Sequence, residues 1–322
     1  MLKKLLLAAT ALLVTTAAAE AAWPERPINM IVPWAAGGGT DAVARMVAAG
    51  LEKELGKPVN VINRTGGAGV VGHTEIVKAR PDGYTIGLAT AELVSYWWAG
   101  VAPFTYEQLT PIGLINFDAS GFHVSGASEW KTLGEAIEGI RSKPAGTYKL
   151  SGIGSGAAYH LAFAGLLHSV GIDPKAVTLV PSQGAAPGFQ ELASGGVQFV
   201  PNALPEGKAM VESGRARALA VLSTERNPAF PDVPTVKEAL GKEFVGGTWR
   251  GIVAPKGLPD EVTTTLEAAL QKVANSDEFK NGMSSRGFGA AWMDKASFGT
   301  FLAEQHKSTG DTMGTLGLRT RE

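Results

Sequence analysis

Short apolar runs alternate with stretches of helical apolar period along most of this chain. Residues 28–32 read as a strand, and Val43, Met46, Val47, Leu51 and Leu55 then recur at helical spacing until Gly56 closes the helix. Further strands are expected at 59–62, 85–88, 122–124, 148–151, 177–180, 197–200, 218–222 and 249–254. Helices are expected from the loop at 63–69 to about Ala79, and at 132–140, 260–274 and 295–307. Turn signals separate them: Pro81-Asp82-Gly83, Lys143-Pro144-Ala145-Gly146 and Pro255-Lys256-Gly257-Leu258-Pro259. The alternation predicts an α/β chain with largely parallel sheets.

Two places break the pattern in the same way. At 31–51 and at 148–167 an apolar run ends, glycines follow, and a helical period begins. That arrangement points free N–H groups and the positive end of a helix at one spot, where anions bind. The first loop contains Gly37-Gly38-Gly39-Thr40-Asp41, with Thr40 as the expected helix cap. Asp41 either fixes this loop or contacts a ligand donor. The second contains Gly152-Ile153-Gly154-Ser155-Gly156-Ala157. One such loop falls in each half of the chain, so two lobes closing on one small anion are expected. Strands crossing between lobes near 122–124 and 249–252 divide the chain into residues 22–123 plus 250–322 and residues 124–249.

The first residues carry a different signal. Lys3 and Lys4 precede an apolar stretch at 5–14 that is too short to span a bilayer, and Ala17-Ala18-Ala19 and Ala19-Glu20-Ala21 each form an A-x-A site. Residues 1–21 are therefore expected to be a cleaved secretory signal. The 322 residues include no cysteine, which excludes a lipoprotein anchor and a thiolate metal site, and places the product free in a periplasm. Net charge is −1, so no nucleic-acid or membrane-surface footprint exists.

Chemistry is sparse. The second loop fits G-x-G-x-x-A, yet no acid ends the next strand, at Leu179-Val180-Pro181-Ser182-Gln183-Gly184, which argues against a dinucleotide. No G-x-S-x-G or H-E-x-x-H occurs, so no catalytic residue, metal or cofactor is expected. His160 reads as a loop anchor or a ligand contact. Trp97 and Trp98 fit either core or pocket wall. Arg250, on a strand expected to cross between lobes, suits either a ligand carboxylate or a salt bridge of the crossover. The loop at 63–69 is expected to shape the cleft wall.

Longer motifs carry a resemblance. Trp23-Pro24-Glu25-Arg26-Pro27-Ile28, IVPWAAGGGTD, VINRTGGAGVVG, ARPDGYTIGLAT, GIGSGAAYHLA, SGRARALAVLSTERNPAFPDVPTVKEA and WRGIVAPKGLP follow one another from Trp23 onward. Together they resemble the extracytoplasmic receptors of tripartite tricarboxylate transporters, the Bug or TctC type. The resemblance implies a two-lobed, periplasmic-binding-protein-like fold with a small carboxylate in the cleft, held mainly by backbone N–H groups and water. It gives ligand roles to Trp34, Ala35, Gly37, Gly38, Thr40 and Asp41, and to Gly154, Ser155, Gly156, Ala157 and His160. Thr90, Ser182, Gln183 and Gly184 are further implied contacts. The chain departs from the common pattern at Trp34-Ala35-Ala36, at Pro181-Ser182-Gln183-Gly184, and at Asn202, where aspartate is frequent. These positions line the implied pocket, so citrate does not follow from the family name.

The expectation is a monomeric periplasmic receptor that binds an organic carboxylate and delivers it to membrane permease subunits, without catalysis. A ligand sensor for a signalling kinase and a secreted α/β hydrolase are the competing readings.

Overall fold

The computed structural model describes residues 23–321, so the expected signal segment lies outside the described residues. In chain order the elements are β1 (Ile28–Val32), α1 (Gly39–Leu55), β2 (Val59–Asn63), α2 (Val70–Lys78) and β3 (Thr85–Thr90). Then come β4 (Leu109–Ala119), β5 (Gly121–Ser125), α3 (Leu133–Arg141), β6 (Tyr148–Leu150), α4 (Ala158–Ser169) and β7 (Val177–Leu179). They are followed by α5 (Ala185–Ala193), α6 (Leu204–Glu212), β8 (Ala216–Val221), α7 (Val236–Leu240) and β9 (Gly247–Pro255). The chain finishes with α8 (Asp260–Asn275), α9 (Asp277–Ser284), β10 (Ala290–Met293) and α10 (Lys295–Thr315).

One lobe is built on a six-stranded sheet of order β10-β4-β9-β3-β1-β2. Period-two alternation on β1 sends Ile28, Met30 and Val32 into a core shared with α1, α8 and α9, and Ile31 into the core on the opposite face. The sheet is mixed rather than largely parallel: β1 runs parallel to β2 and β3, while β9 runs antiparallel to β3 and β4, and β10 antiparallel to β4. The reason is the connection. β4 leaves for the other lobe and β9 returns from it, so neither is tied to its neighbour by a right-handed helical crossover.

The other lobe pairs β5 with β8 and β6 with β7. The strand expected at 197–200 is reduced to single bridges, from Phe199 to Leu150 and from Val200 to His123, which join the two pairs. Phe122, Phe163, Phe199 and Trp130 stack in its core, with centroid separations of 5.3–5.7 Å for the pairs involving Phe199.

β4 and β10 are strands the periodicity did not indicate. Pro111 and Gly113 sit inside β4 and read as a turn, but both fall at a register irregularity against β9, where a proline is tolerated. The chain changes sheets at Ser120 and again at Gly246–Gly247. Phe122 packs in the core of the second lobe and Trp249 in that of the first. Ser120 N–H donates to Gly246 O at 2.8 Å, and Leu222 N–H donates to Ser120 O at 2.8 Å, so the crossing segments are laced together. Among the described residues no helix is long and apolar enough to cross a membrane.

Candidate functional site

The first glycine loop turns the chain from β1 into α1. Gly37 supplies the left-handed residue, with φ of 80°. Gly38 is the helix cap, in extended conformation at φ −84°, and the helix begins at Gly39. Thr40 is thus not the cap; it lies buried in the first turn, and its Oγ1 accepts from Arg250 Nε at 3.0 Å. Asp41 closes the loop: its carboxylate accepts from Gly37 N–H (3.0 Å), Asn63 Nδ2 (3.1 Å) and both Nε and Nη2 of Arg45 (3.0 and 2.9 Å). Burial works against its charge, but these donors hold its pKa below the usual carboxylate value.

The second loop is held by its own histidine. Gly156 N–H donates to His160 Nδ1 at 3.1 Å, and burial lowers the ring pKa to about 4, so His160 is a neutral acceptor. Gly154 packs against Ala68 of the 63–69 loop so closely that a Cβ would collide with the alanine methyl. Ser155 is exposed at this junction. Ala157 caps α4.

Several hydrogen bonds tie the lobes across the cleft. Ala35 N–H donates to Gln183 O (3.1 Å), and Thr65 Oγ1 donates to Gln183 Oε1 (3.0 Å). Gly39 N–H, at the start of α1, donates to Glu206 Oε1 at 3.1 Å. Ala158 N–H, at the start of α4, donates to Glu92 Oε1 at 3.1 Å. Each helix start expected to hold an external anion therefore holds a glutamate from the opposite lobe.

Beneath these contacts lies a charged cluster set by strand register. Arg250 on β9 stands beside Thr90 on β3 and Asn116 on β4, and Asp118 follows two residues along β4. The guanidinium is 1% exposed and donates to Thr40, Asn116, Asp118 and, at 3.3 Å, Glu206. Burial disfavours its charge, but Asp118 and Glu206 outweigh this and raise its pKa. All three guanidinium nitrogens of Arg250 thus donate to protein partners. Burial pushes the carboxyls of Glu206 and Glu92 upward, and the Arg250 charge opposes it in both.

About 350 Å³ of space not filled by protein atoms, part of it open solvent, lies between the lobes. Of the residues singled out in the sequence, Trp34, Ala35, Gly38, Thr40, Thr90, Gly184, Asn202 and Arg250 line it. Gly37, Asp41, Gly156, Ala157, His160, Ser182 and Gln183 instead build the loops around it: Ser182 Oγ, for example, donates to Gly184 O at 3.1 Å. The sequence reading missed Gly39, Glu92, Ile153, Tyr159, Ala185, Glu206 and Thr248 on the cavity wall. Glu92 had a signal, since it follows the end of β3 by two residues, where α/β sheets bind ligands. Glu206 had none, because a glutamate in the first turn of α6 reads as a cap, and its Oε2 does accept from Ala203 N–H at 3.0 Å. Trp97 and Trp98 lie elsewhere: Trp98 stacks on His306 at 4.8 Å, Arg319 lies over the Trp98 ring, and Arg321 covers Trp97.

Comparison with known proteins places this architecture. The family model of the tripartite tricarboxylate transporter family receptor matches residues 43–318. A Pseudomonas sp. (strain P51) protein of the tcbD-tcbE intergenic region is 30% identical over 296 residues, covering 90% of this chain and 87% of that one. The structure of the periplasmic binding protein BugD superposes with a TM-score of 0.86 at 30% identity, covering 93% of this chain and all of the other. MatC from Rhodopseudomonas palustris with bound malate superposes at 0.81 and 25% identity, covering 90% and 99%. With its two lobes, its interlobe cavity and a family match that spans most of its length, this chain belongs to the receptor family of the tripartite tricarboxylate transporters.

Proposed function

We propose that this chain is a periplasmic receptor that closes on a small organic acid and hands it to membrane permease subunits. The cavity itself carries the reading: nine of its lining residues come from one lobe and six from the other, so a bound solute touches both and favours the closed state. Residues up to the first crossing together with those after the second form one moving body, and the segment between them forms the other. Trp34, Ala35, Gly38, Thr40, Thr90, Gly184 and Asn202 contact the solute, while Gly37, Asp41, Gly154, Ser155, Gly156, Ala157, His160, Ser182 and Gln183 shape and fasten the loops. The malate bound by MatC supports an organic acid as the class. The start of α5 at Gly184–Ala185 and the Tyr159 hydroxyl, which is buried without a hydrogen-bond partner, supply donors on the cavity wall.

Small-angle scattering tests the clamp. Protein stripped of solute by unfolding and refolding should show a larger radius of gyration than protein saturated with the compound that mass spectrometry finds on the gently purified chain. An unchanged radius at saturation would refute closure. The absence of any retained or rebinding small molecule would refute the receptor reading.

A further inference from the structure

The two helix starts best suited to an anion are already occupied. Glu206 lies at α1 and Glu92 at α4, each reaching across the cleft. Glu206 is satisfied there: Oε1 accepts from Gly39 and Arg250, and Oε2 from Ala203. Glu92 is not. Its Oε2 is buried without a hydrogen-bond partner, and so are Asn202 Oδ1 and the Tyr159 hydroxyl, which can donate as well as accept; these residues, 3%, 2% and 3% exposed, all line the cavity. Buried acceptors left open are rare, and each costs about 1–3 kcal/mol when unpaired.

We propose that Glu92 and Asn202 select a solute whose buried end donates hydrogen bonds, an ammonium or amide nitrogen, and that the site rejects dicarboxylates. This rests on the receptor reading and names its solute more closely. The charge balance points the same way. Asp118, Glu206 and Glu92 face one cation, Arg250, whose guanidinium is taken up by Asp118, Glu206, Asn116 and Thr40. A second ligand carboxylate beside Glu92 would bring like charges together away from water, which is strongly unfavourable. A donor nitrogen fills the open acceptors and, if charged, offsets the excess. The solute's own carboxylate then has the start of α5, on the opposite lobe from Glu92.

A matched series tests this on the full chain, stripped of solute and refolded. Calorimetry would compare succinate, its monoamide succinamate, and 4-aminobutyrate at neutral pH. At least one of the two nitrogen compounds should bind tenfold or more tighter than succinate. Glu92→Gln keeps the acceptor for Ala158 but removes the charge, and should shrink that preference to threefold or less. If this variant does not fold by circular dichroism, Asn202→Ala, which leaves the α4 cap intact, should weaken the nitrogen compounds selectively. Succinate binding as tightly as succinamate overturns the proposal, as does succinate binding that strengthens on acidification, which would mean a protonated Glu92 donates. A dicarboxylate found on the gently purified protein overturns it while leaving the receptor reading intact. If nothing is retained and none of the series binds, the receptor reading falls and the proposal falls with it.

Discussion

Gly37, Gly38 and Gly39 stand together and do different work. Gly37 takes a left-handed φ, Gly38 an extended one that any residue adopts, and Gly39 lies where a Cβ would collide with the Glu206 carboxylate. A substitution at Gly38 meets only Ala35 O at 3.5 Å, so the middle glycine is the least constrained of the three. Gly38→Ser should therefore fold with stability within about 0.5 kcal/mol of wild type, since serine caps helices well. Gly39→Ala should lose about 1.5–3 kcal/mol, the worth of a charge-assisted bond, despite alanine's better helix propensity. Urea unfolding of the two variants separates them, and equal stability would show that Glu206 does not need the Gly39 N–H.

At the scale of elements, the crossing of β4 and β9 decides how the lobes are joined. Gly247 begins β9 against the Asp118 carbonyl and the Ala119 Cα, with no room for a side chain and no flexible neighbour to yield. Gly247→Ala should push the two strands apart where they leave the sheet and cost about 1–3 kcal/mol, the usual range for overpacking. Chemical denaturation checks the loss, and a midpoint equal to that of wild type would contradict the close packing of the crossing. The same strands explain a gap in the sequence reading. β4 is interrupted by Pro111 and Gly113, which look like a turn in a local window, and only its neighbours β9 and β10 hold it as a strand.

The whole molecule buries three neutral histidines, His73, His123 and His160, each lowered by desolvation to about pKa 4. His73 ties the cleft loop to the sheet: its Nε2 accepts from Thr90 N–H at 3.3 Å, and its Nδ1 lies 2.9 Å from Gly69 O. Between pH 6.5 and 4 the unfolded chain binds protons that these rings refuse. Their stabilisation is fully present above pH 6.5 and is lost as pH falls toward 4, at up to about 1.4 kcal/mol per pH unit for each ring. Glu92 and Glu206, raised by burial above the ordinary carboxyl value of 4.5, act in the opposite direction. Stability measured by urea unfolding should decline on acidification through this range, less steeply in His73→Gln. A slope unchanged in His73→Gln would mean that the buried His73 ring does not carry this pH dependence.

What the sequence determined by itself is what short windows encode. Apolar period marked β1, α1, β3 and β9, and a strand followed by glycines and a helix marked both loops, because φ preferences and helix starts depend on adjacent residues. Motifs from Trp23 onward were enough to identify the family. Which groups face the solute was decided only by the tertiary structure. Gly39 meets a glutamate 167 residues away, Ala158 one 66 residues away, and Arg250 gathers Thr40 and Asp118 from separate elements. No local pattern fixes such pairings. They arise when two lobes close, and burial then turns two ordinary surface-type residues, Glu92 and Glu206, into the charges that set the character of the cavity.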